Sequence, residues 1–264
     1  MSLFGKKEPY EVKTGLISDA TDYNVYFPTT KDKILWFILG TIVGGAVLYI
    51  FYERWWISLI AGFVCGIVFI PIRTKQVIKK RQKKLTLQFR AMLEALSTSI
   101  GAGKNINDSF ANAIDDLAIQ FGYESDIVKE VQIVLVGMNN NIQVEDLLLN
   151  FAHRSGIEDI RNFANVFATC YKKGGNIKEV IQNTTQIIGD KIEIQMELET
   201  MVAGQKNDQN VMLCMPVVFI LLMKSMGGDL VDLSSPVGIM SVTIALVIFV
   251  AAYFISKKIL DIKL

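Results

Sequence analysis

The first third of the chain contains two long runs of apolar residues. Residues 34–52 are 19 in number and residues 55–72 are 18, and neither run contains a charged side chain. A helix of about 20 apolar residues is long enough to cross the hydrocarbon core of a bilayer. The two runs therefore predict a transmembrane hairpin over residues 34–72, with only Glu53 and Arg54 between its helices.

A second pair of apolar runs lies near the end of the chain. Residues 237–255 again contain 19 residues without a charge, whereas the run at 211–223 has only 13. The shorter run is long enough to span a bilayer when flanking polar residues join its helix, and we predict such a span over residues 211–228. A second transmembrane hairpin is therefore expected over residues 211–255.

Between the hairpins, apolar residues recur at the spacing of an α-helix rather than of a strand. One stripe in this region comprises Leu85, Phe89, Met92, Leu93, Leu96 and Ile100. Similar patterns predict about six helices, at residues 77–100, 107–121, 124–137, 143–153, 157–173 and 177–205. We call residues 73–210 the module. The predicted fold class is an all-α membrane protein in which two hairpins flank a helical bundle.

Positive charge is concentrated on one side of the predicted spans. Seven of the twelve residues at 73–84 are basic. They are Arg73, Lys75, Lys79, Lys80, Arg81, Lys83 and Lys84. Lysine and arginine mark the cytoplasmic side of membrane proteins. We therefore expect the N-terminal segment 1–33, the module and the tail 256–264 to be cytoplasmic.

The charged residues of the module have a functional and a general interpretation. The basic run could bind anionic lipid or an acidic protein partner, but the bias that orients spans is enough to predict it. Residues 85–206 carry 16 acidic and 10 basic side chains. Among them, Asp115 and Asp116 are a candidate contact for a partner. Scattered charge of this kind is also typical of an ordinary solvated surface.

The stretch GAGKNIN at residues 101–107 raises the question of nucleotide binding. A P-loop has a glycine five residues before its Gly-Lys pair and a Ser or Thr after the pair, and it follows a strand. Thr98 and Asn105 occupy those two positions here, and the preceding residues have a helical pattern. The stretch therefore does not predict a phosphate site.

Parts of this stretch recur along the module. An Asn-Ile pair occurs at residues 105–106, 141–142 and 176–177, at spacings of 36 and 35 residues. Glycine or asparagine can adopt the positive φ that ends a helix, and a following polar residue can cap the next helix. We predict a repeated turn between helices, with the isoleucine packed on the core. The predicted turn residues are Gly103, Asn105, Gly174, Gly175 and Asn176.

No combination of side chains in the sequence points to catalysis. His153 is the single histidine, and it has no Cys or carboxylate companions at ligand spacing. The cysteines, Cys65, Cys170 and Cys214, have no metal-like spacing and no obvious pairing. We expect no catalytic residue, no cofactor and no bound metal, and therefore a protein that is not an enzyme.

Three stretches of the chain carry a resemblance to a known family. They are LQFRAMLEALSTSIGAGKNINDSFANAIDDL, VEDLLLNFAHRSGIEDIRNFANVFATCYKKGGNIKEVI, and KIEIQMELETMVAGQKN leading into VMLCMPVVF. These stretches resemble the type II secretion F family, the platform proteins of type II secretion and type IV pilus machines. The paired spans and the lead-in DYNVYFPTTKDK are similar to the Tad-type (Flp pilus) branch. The resemblance covers about residues 20–264, and the middle turn departs from the family's Gly-x-Asn.

The resemblance implies a role that composition alone does not. It implies a non-enzymatic platform in the cytoplasmic membrane that couples a separate motor ATPase to export or polymerisation of pilin-like subunits. The implied partners are that ATPase, the pilin-like subunits, a paralogous platform protein or a second copy of the chain, and membrane lipids; no nucleic acid is expected. The alternatives are a transporter or channel subunit, which normally carries ionisable groups at midplane, and a membrane-bound enzyme.

Overall fold

The computed structural model describes residue 16 and residues 20–26, 28–52, 55–225 and 236–260. All regular secondary structure in these ranges is α-helical, which confirms the predicted all-α class. The helices are α1 (Thr30–Tyr52), α2 (Trp55–Gly101), α3 (Ile106–Phe121), α4 (Asp126–Asn139), α5 (Val144–Ser155), α6 (Glu158–Lys172), α7 (Ile177–Ser225) and α8 (Pro236–Leu260).

Several predicted features fall wholly or partly outside the described residues. They are most of the N-terminal segment 1–33, the connection at 53–54, the end of the third span with the loop after it at 226–235, and the tail at 261–264.

The described helices belong to two units. The first consists of the described residues of Met1–Phe27 together with Gln76–Ile192, and the second of those in Pro28–Lys75 and Glu193–Leu264. Helices α2 and α7 contribute to both units because each is a single unbroken helix, of 47 and 49 residues. The module predicted from sequence extended to residue 210, whereas the first unit ends at Ile192.

The core of the first unit follows the predicted helical stripe. Leu85, Phe89, Met92, Leu93 and Leu96 of α2 are all buried, and Ile100 is partly buried against them. Aromatic rings of the later helices complete this core. The Phe89 and Phe163 ring centres are 5.5 Å apart and the rings are nearly perpendicular, an arrangement that aromatic pairs favour. Helices α3 with α4, α4 with α5, and α5 with α6 pack as neighbours.

In the second unit, α1 packs closely against the first part of α2 through glycines. A Cβ placed on Gly66 would lie 2.5 Å from the Thr41 hydroxyl oxygen, and one on Gly62 would lie 2.9 Å from the Thr41 carbonyl oxygen. On α1, a Cβ on Gly44 would lie 2.7 Å from the Cβ of Cys65. Small residues let membrane helices approach in this way, so larger side chains at these positions would separate the hairpin.

Two helices within the described residues are long and apolar enough to cross a membrane. One lies at Thr30–Ile50 and the other within Ser58–Gly101. A further apolar helix, Gly238–Ala252, is shorter. The predicted third span is helical over its described part, as the end of α7. Length and composition therefore support the first predicted hairpin, and they do not by themselves establish four spans.

Candidate functional site

The end of α2 forms a Schellman turn. The backbone N–H of Gly103 donates to the carbonyl of Ile100 at 3.0 Å, and the next N–H donates to Ser99 at 3.2 Å. Gly103 has a φ of 85°, a conformation that glycine adopts without steric cost. Asn105 then caps α3, because its side-chain oxygen accepts from the backbone N–H of Asp108 at 2.7 Å. The glycine at GAGKNIN therefore ends a helix.

Two further helix ends repeat this geometry. After α4, Asn141 has a φ of 60° and donates to Met138 at 3.0 Å, while the next N–H donates to the carbonyl five residues earlier at 3.0 Å. After α6, Gly174 has a φ of 68° and donates to Tyr171 at 3.3 Å, and the next N–H again donates five residues back, at 2.8 Å. Three turns of one type thus join α2 to α3, α4 to α5, and α6 to α7.

The register of the repeat differs from the predicted one. Asn105 and Asn176 each precede a helix, whereas Asn141 ends one, and Gln143 is the residue that precedes α5. Counted between left-handed residues, the spacings are 38 and 33 rather than 36 and 35. Asparagine suits both the left-handed position and the N-cap. The Asn-Ile dipeptide therefore has one position in the middle turn, where its asparagine ends α4, and another in the outer two turns, where its asparagine precedes the next helix.

The third turn contains two consecutive glycines, and only one of them has a positive φ. Gly174 has it and Gly175 does not. Gly175 supplies the N–H that donates to Cys170 at 2.8 Å. Asn176 accepts from the backbone N–H of Glu179 at 3.3 Å, so it caps α7 as Asn105 caps α3. The isoleucines of the three turns, Ile106, Ile142 and Ile177, are partly buried against the core.

A groove of about 1050 Å³ lies beside these turns in the first unit. Its walls come from the start of α3, from the turn between α4 and α5, and from the end of α6. The lining residues are Asn105, Ile106, Asn107, Met138, Asn141, Ile142, Gln143, Val144, Glu145, Tyr171 and Lys172. The groove therefore combines an apolar surface with side-chain amides, one carboxylate and one ammonium group.

Glu145 is the buried charged residue of this groove. It lies in the first turn of α5 and is 3% exposed. Its Oε2 is shielded from solvent and has no hydrogen-bond partner among the described residues. Burying a carboxylate costs free energy unless a cation or several donors replace the lost water.

A second buried glutamate in the first unit differs from Glu145, because both of its carboxylate oxygens accept hydrogen bonds. Glu130 of α4 is 1% exposed. Arg154 of α5 donates to it through both terminal nitrogens, with Nη1–Oε1 at 2.7 Å and Nη2–Oε2 at 2.6 Å. The hydroxyl of Tyr23 donates to Oε1 at 2.8 Å. A bidentate arginine with a further donor is among the strongest arrangements for a buried carboxylate.

Tyr23 belongs to the segment 20–26, which this ion pair holds in place. The backbone N–H of Tyr23 and the side-chain amide of Asn24 both donate to the carbonyl of Arg154 at 3.0 Å. Gln82 of α2 donates to the Asn24 side chain at 3.3 Å. Burial, and then the charge of Glu130, raise the pKa of Tyr23 well above its usual range. Residues 20–26, which include the DYN sequence of the lead-in, therefore join α2, α4 and α5, and we call this segment the clasp.

The basic run on α2 is divided between internal and exposed roles. Arg81 donates to Asp126 through Nη2 and Nε, at 2.6 and 3.0 Å, and its guanidinium carbon lies 4.7 Å from the centre of the Tyr23 ring. Arg73 lies 5.3 Å from the centre of the Phe69 ring. The exposed members are Arg73, Lys75, Lys79, Lys80, Lys83 and Lys84. These side chains lie at the surface, whereas Arg81 is engaged within the first unit.

The carboxylates Asp115 and Asp116 are exposed on α3, as a partner contact would require. One turn further along the same helix lies Ile119, which is 87% exposed. The structure does not bring these residues near the groove, whose α3 residues are 105–107. Among the described residues, no group of His, Cys, Asp or Glu side chains has the arrangement of a metal site.

Comparison with protein-family models, with curated proteins and with solved structures gives no match for this chain.

Proposed function

We propose that this chain is a multi-pass protein of the cytoplasmic membrane and the non-enzymatic platform of a type II secretion or Tad-type pilus machine. In this role it couples a separate motor ATPase to export or polymerisation of pilin-like subunits. The observation that carries the proposal is the continuity of α2 and α7. Each is one helix with an apolar segment at one end and residues of the first unit at the other.

Exposed apolar side chains support the membrane location. Along the whole length of α1 and the first part of α2, large apolar residues are exposed; Ile60, for example, is 67% exposed. Water-soluble proteins rarely expose contiguous apolar surface beyond a few hundred Å². The close glycine contacts between α1 and α2 are also typical of helix pairs in bilayers.

The same reasoning extends the proposal to four spans. On α7, Met212, Met215 and Phe219 are exposed, and on α8 so are Ile244 and Ile248. We assign residues 211–228 and 237–255 to the third and fourth spans. An even number of spans places both termini and the basic run on the cytoplasmic side, as the positive-inside bias requires.

The mechanism that we propose is mechanical. The motor ATPase binds the first unit at an exposed surface that includes Asp115, Asp116 and Ile119 of α3. A change in the orientation of that unit is then carried along α2 and α7, because an unbroken helix transmits displacement along its length. Pilin-like subunits leave the bilayer between platform protomers, either copies of this chain or of a paralogue.

The proposal is tested with the purified full chain and a secretion motor ATPase from the same organism. We expect no ATP hydrolysis by the chain alone and a stable complex with the ATPase. Asp115→Lys combined with Asp116→Lys should weaken that complex, because charge reversal opposes a basic partner surface. Asp190→Lys combined with Glu193→Lys is the matched control, since it reverses two exposed charges elsewhere.

Cells provide the second part of this test. A strain whose platform does not bind the ATPase should make pilin-like subunits and fail to export or polymerise them. Normal assembly in that strain, together with loss of transport of a small solute, would favour the transporter alternative.

A further inference from the structure

The groove beside the three turns contains a buried charge that the first unit leaves unpaired. Glu145 lines this groove, and its Oε2 has no partner among the described residues. The other buried glutamate of the unit, Glu130, has three donors, so this fold is able to satisfy a buried carboxylate. A cation or donor brought by a ligand in the groove would supply the partner that Glu145 lacks.

The remaining lining residues indicate what kind of molecule brings that cation. Ile106, Met138, Ile142 and Val144 are apolar and favour an apolar ligand surface. Four residues with side-chain amides line the same groove, Asn105, Asn107, Asn141 and Gln143. The Asn105 oxygen already accepts from Asp108 and the Asn107 amide donates to Asn139, which leaves the amides of Asn141 and Gln143 as the main polar contacts for a ligand. Side-chain amides both donate and accept, as does a peptide backbone, so they suit an extended polypeptide.

The size of the groove agrees with a short polypeptide segment. Pockets for drug-sized molecules have volumes of about 300–1,000 Å³, and this groove is slightly larger, with about 1050 Å³. We propose that it binds a segment of a partner protein in which one arginine or lysine, flanked by apolar residues, pairs with Glu145. This binding site rests on the groove alone and does not depend on the platform role.

The test uses the full chain in detergent and two fluorescein-labelled peptides with capped ends. One peptide is Ser-Leu-Arg-Val-Ser, and the other has citrulline, the neutral isostere of arginine, at its centre. We expect fluorescence anisotropy to show binding of the arginine peptide and binding of the citrulline peptide that is weaker by about thirtyfold or more, the ratio expected when a desolvated charge pair is lost.

Two variants of adjacent residues connect this preference to the groove. Glu145→Gln should weaken the arginine peptide to the level of the citrulline peptide. Asp146→Asn is the matched control, because Asp146 is an exposed carboxylate in the same turn of α5 and does not line the groove. We expect Asp146→Asn to leave the affinity for both peptides unchanged. Circular dichroism of each variant checks that it is folded.

A third variant keeps the test decisive if Glu145→Gln does not fold. Lys172→Gln removes the cation that lines the groove and should strengthen the arginine peptide about twofold, with no effect on the citrulline peptide. The proposal is overturned if the arginine peptide does not bind, if both peptides bind equally, or if Asp146→Asn and Glu145→Gln weaken binding alike. Binding of Mg²⁺ to wild type but not to Glu145→Gln, without peptide binding, would also overturn it.

Discussion

Glu130 and Glu145 are both almost completely buried in the first unit, yet only one of them is paired. Glu130 is joined to α5 by Arg154 and to the segment 20–26 by Tyr23. Glu145 has an oxygen without any partner among the described residues. The surroundings of Glu130 satisfy its carboxylate within one chain, whereas the surroundings of Glu145 leave one carboxylate oxygen for a partner to bind.

Glycines with a positive φ show a similar contrast. Gly156, which follows α5, has a φ of 65°, and a Cβ there would overlap the side chain of Asn24. Gly103 and Gly174 also have positive φ, but nothing lies within 4 Å of a Cβ at either position. The clasp formed by residues 20–26 is closely packed, whereas the surface of the turns is accessible.

The largest expected effect follows from breaking the buried ion pair. Arg154→Met leaves Glu130 buried without its cation, which should lower the free energy of unfolding by about 3–5 kcal/mol. Replacing both partners with apolar residues, as in Glu130→Leu with Arg154→Met, should recover most of that loss. Glu145→Gln has no partner to lose and should be neutral or stabilising. Hydrogen exchange of α4 and α5, measured by mass spectrometry, reports all three; an equal loss in Glu145→Gln would contradict the comparison.

Alanine at the glycines tests the two environments separately. Gly103→Ala and Gly174→Ala place an L-residue in the left-handed region, at a cost of about 1–2 kcal/mol each. Gly156→Ala has the same strain and also displaces Asn24, so we expect a loss greater by about 1–3 kcal/mol. Gly175→Ala should lack the strain because its φ is not positive. Thermal unfolding midpoints rank the four variants, and equal losses at Gly103 and Gly156 would show that Asn24 is not tightly held.

The clasp should also be sensitive to alkaline pH. Burial raises the pKa of Tyr23 in the folded chain above the value of about 10 for an unfolded chain. The stabilisation is therefore fully present below pH 10 and is lost as pH rises above it, since only the unfolded state then gains by releasing the proton. The loss approaches about 1.4 kcal/mol per pH unit. Unfolding midpoints between pH 9 and 11 should fall more steeply in wild type than in Tyr23→Phe, and parallel curves would refute this.

The smallest effects are expected at the helix caps of the turns. Asn105→Ala removes a side-chain cap from α3 and should cost about 1 kcal/mol. Gln143 makes no capping bond, so Gln143→Asn should stabilise α5 by about 0.5–1 kcal/mol. Unfolding midpoints of the two variants should move in opposite directions. If Gln143→Asn is destabilising, the middle turn is not equivalent to the outer two.

Helices and turns were largely predictable because they depend on local patterns. The stripe from Leu85 to Leu96 places the core face of α2. The helix ends predicted inside the first unit agree with the structure to within two residues, except the start at residue 77, because α2 already begins at Trp55. The predicted positive φ of an asparagine in the middle turn is confirmed by Asn141. The alignment of the three copies on their Asn-Ile pairs was wrong, because Asn141 and Asn105 share a residue type and occupy different backbone conformations. Periodicity cannot distinguish those two positions.

The paired and unpaired carboxylates were not predicted, since their environments depend on contacts between distant parts of the chain. Tyr23 and Glu130 are 107 residues apart. The sequence nevertheless contained an indication of the buried ion pair. Glu130 stands on the same helical face as Ile127 and Val134, and Arg154 lies three residues after Phe151 on the apolar face of α5. Charged residues at core positions of two helices are candidates for a buried pair.

The central claim is that a membrane-anchored chain presents its first unit to the cytoplasm, and cysteine labelling in intact cells tests it most directly. In a chain whose native cysteines are replaced by alanine, Gln120→Cys reports the first unit and Asp229→Cys reports the connection between the proposed third and fourth spans. We predict that a membrane-impermeant maleimide labels position 229 in intact cells and position 120 only after permeabilisation. Labelling of position 120 in intact cells would contradict the account.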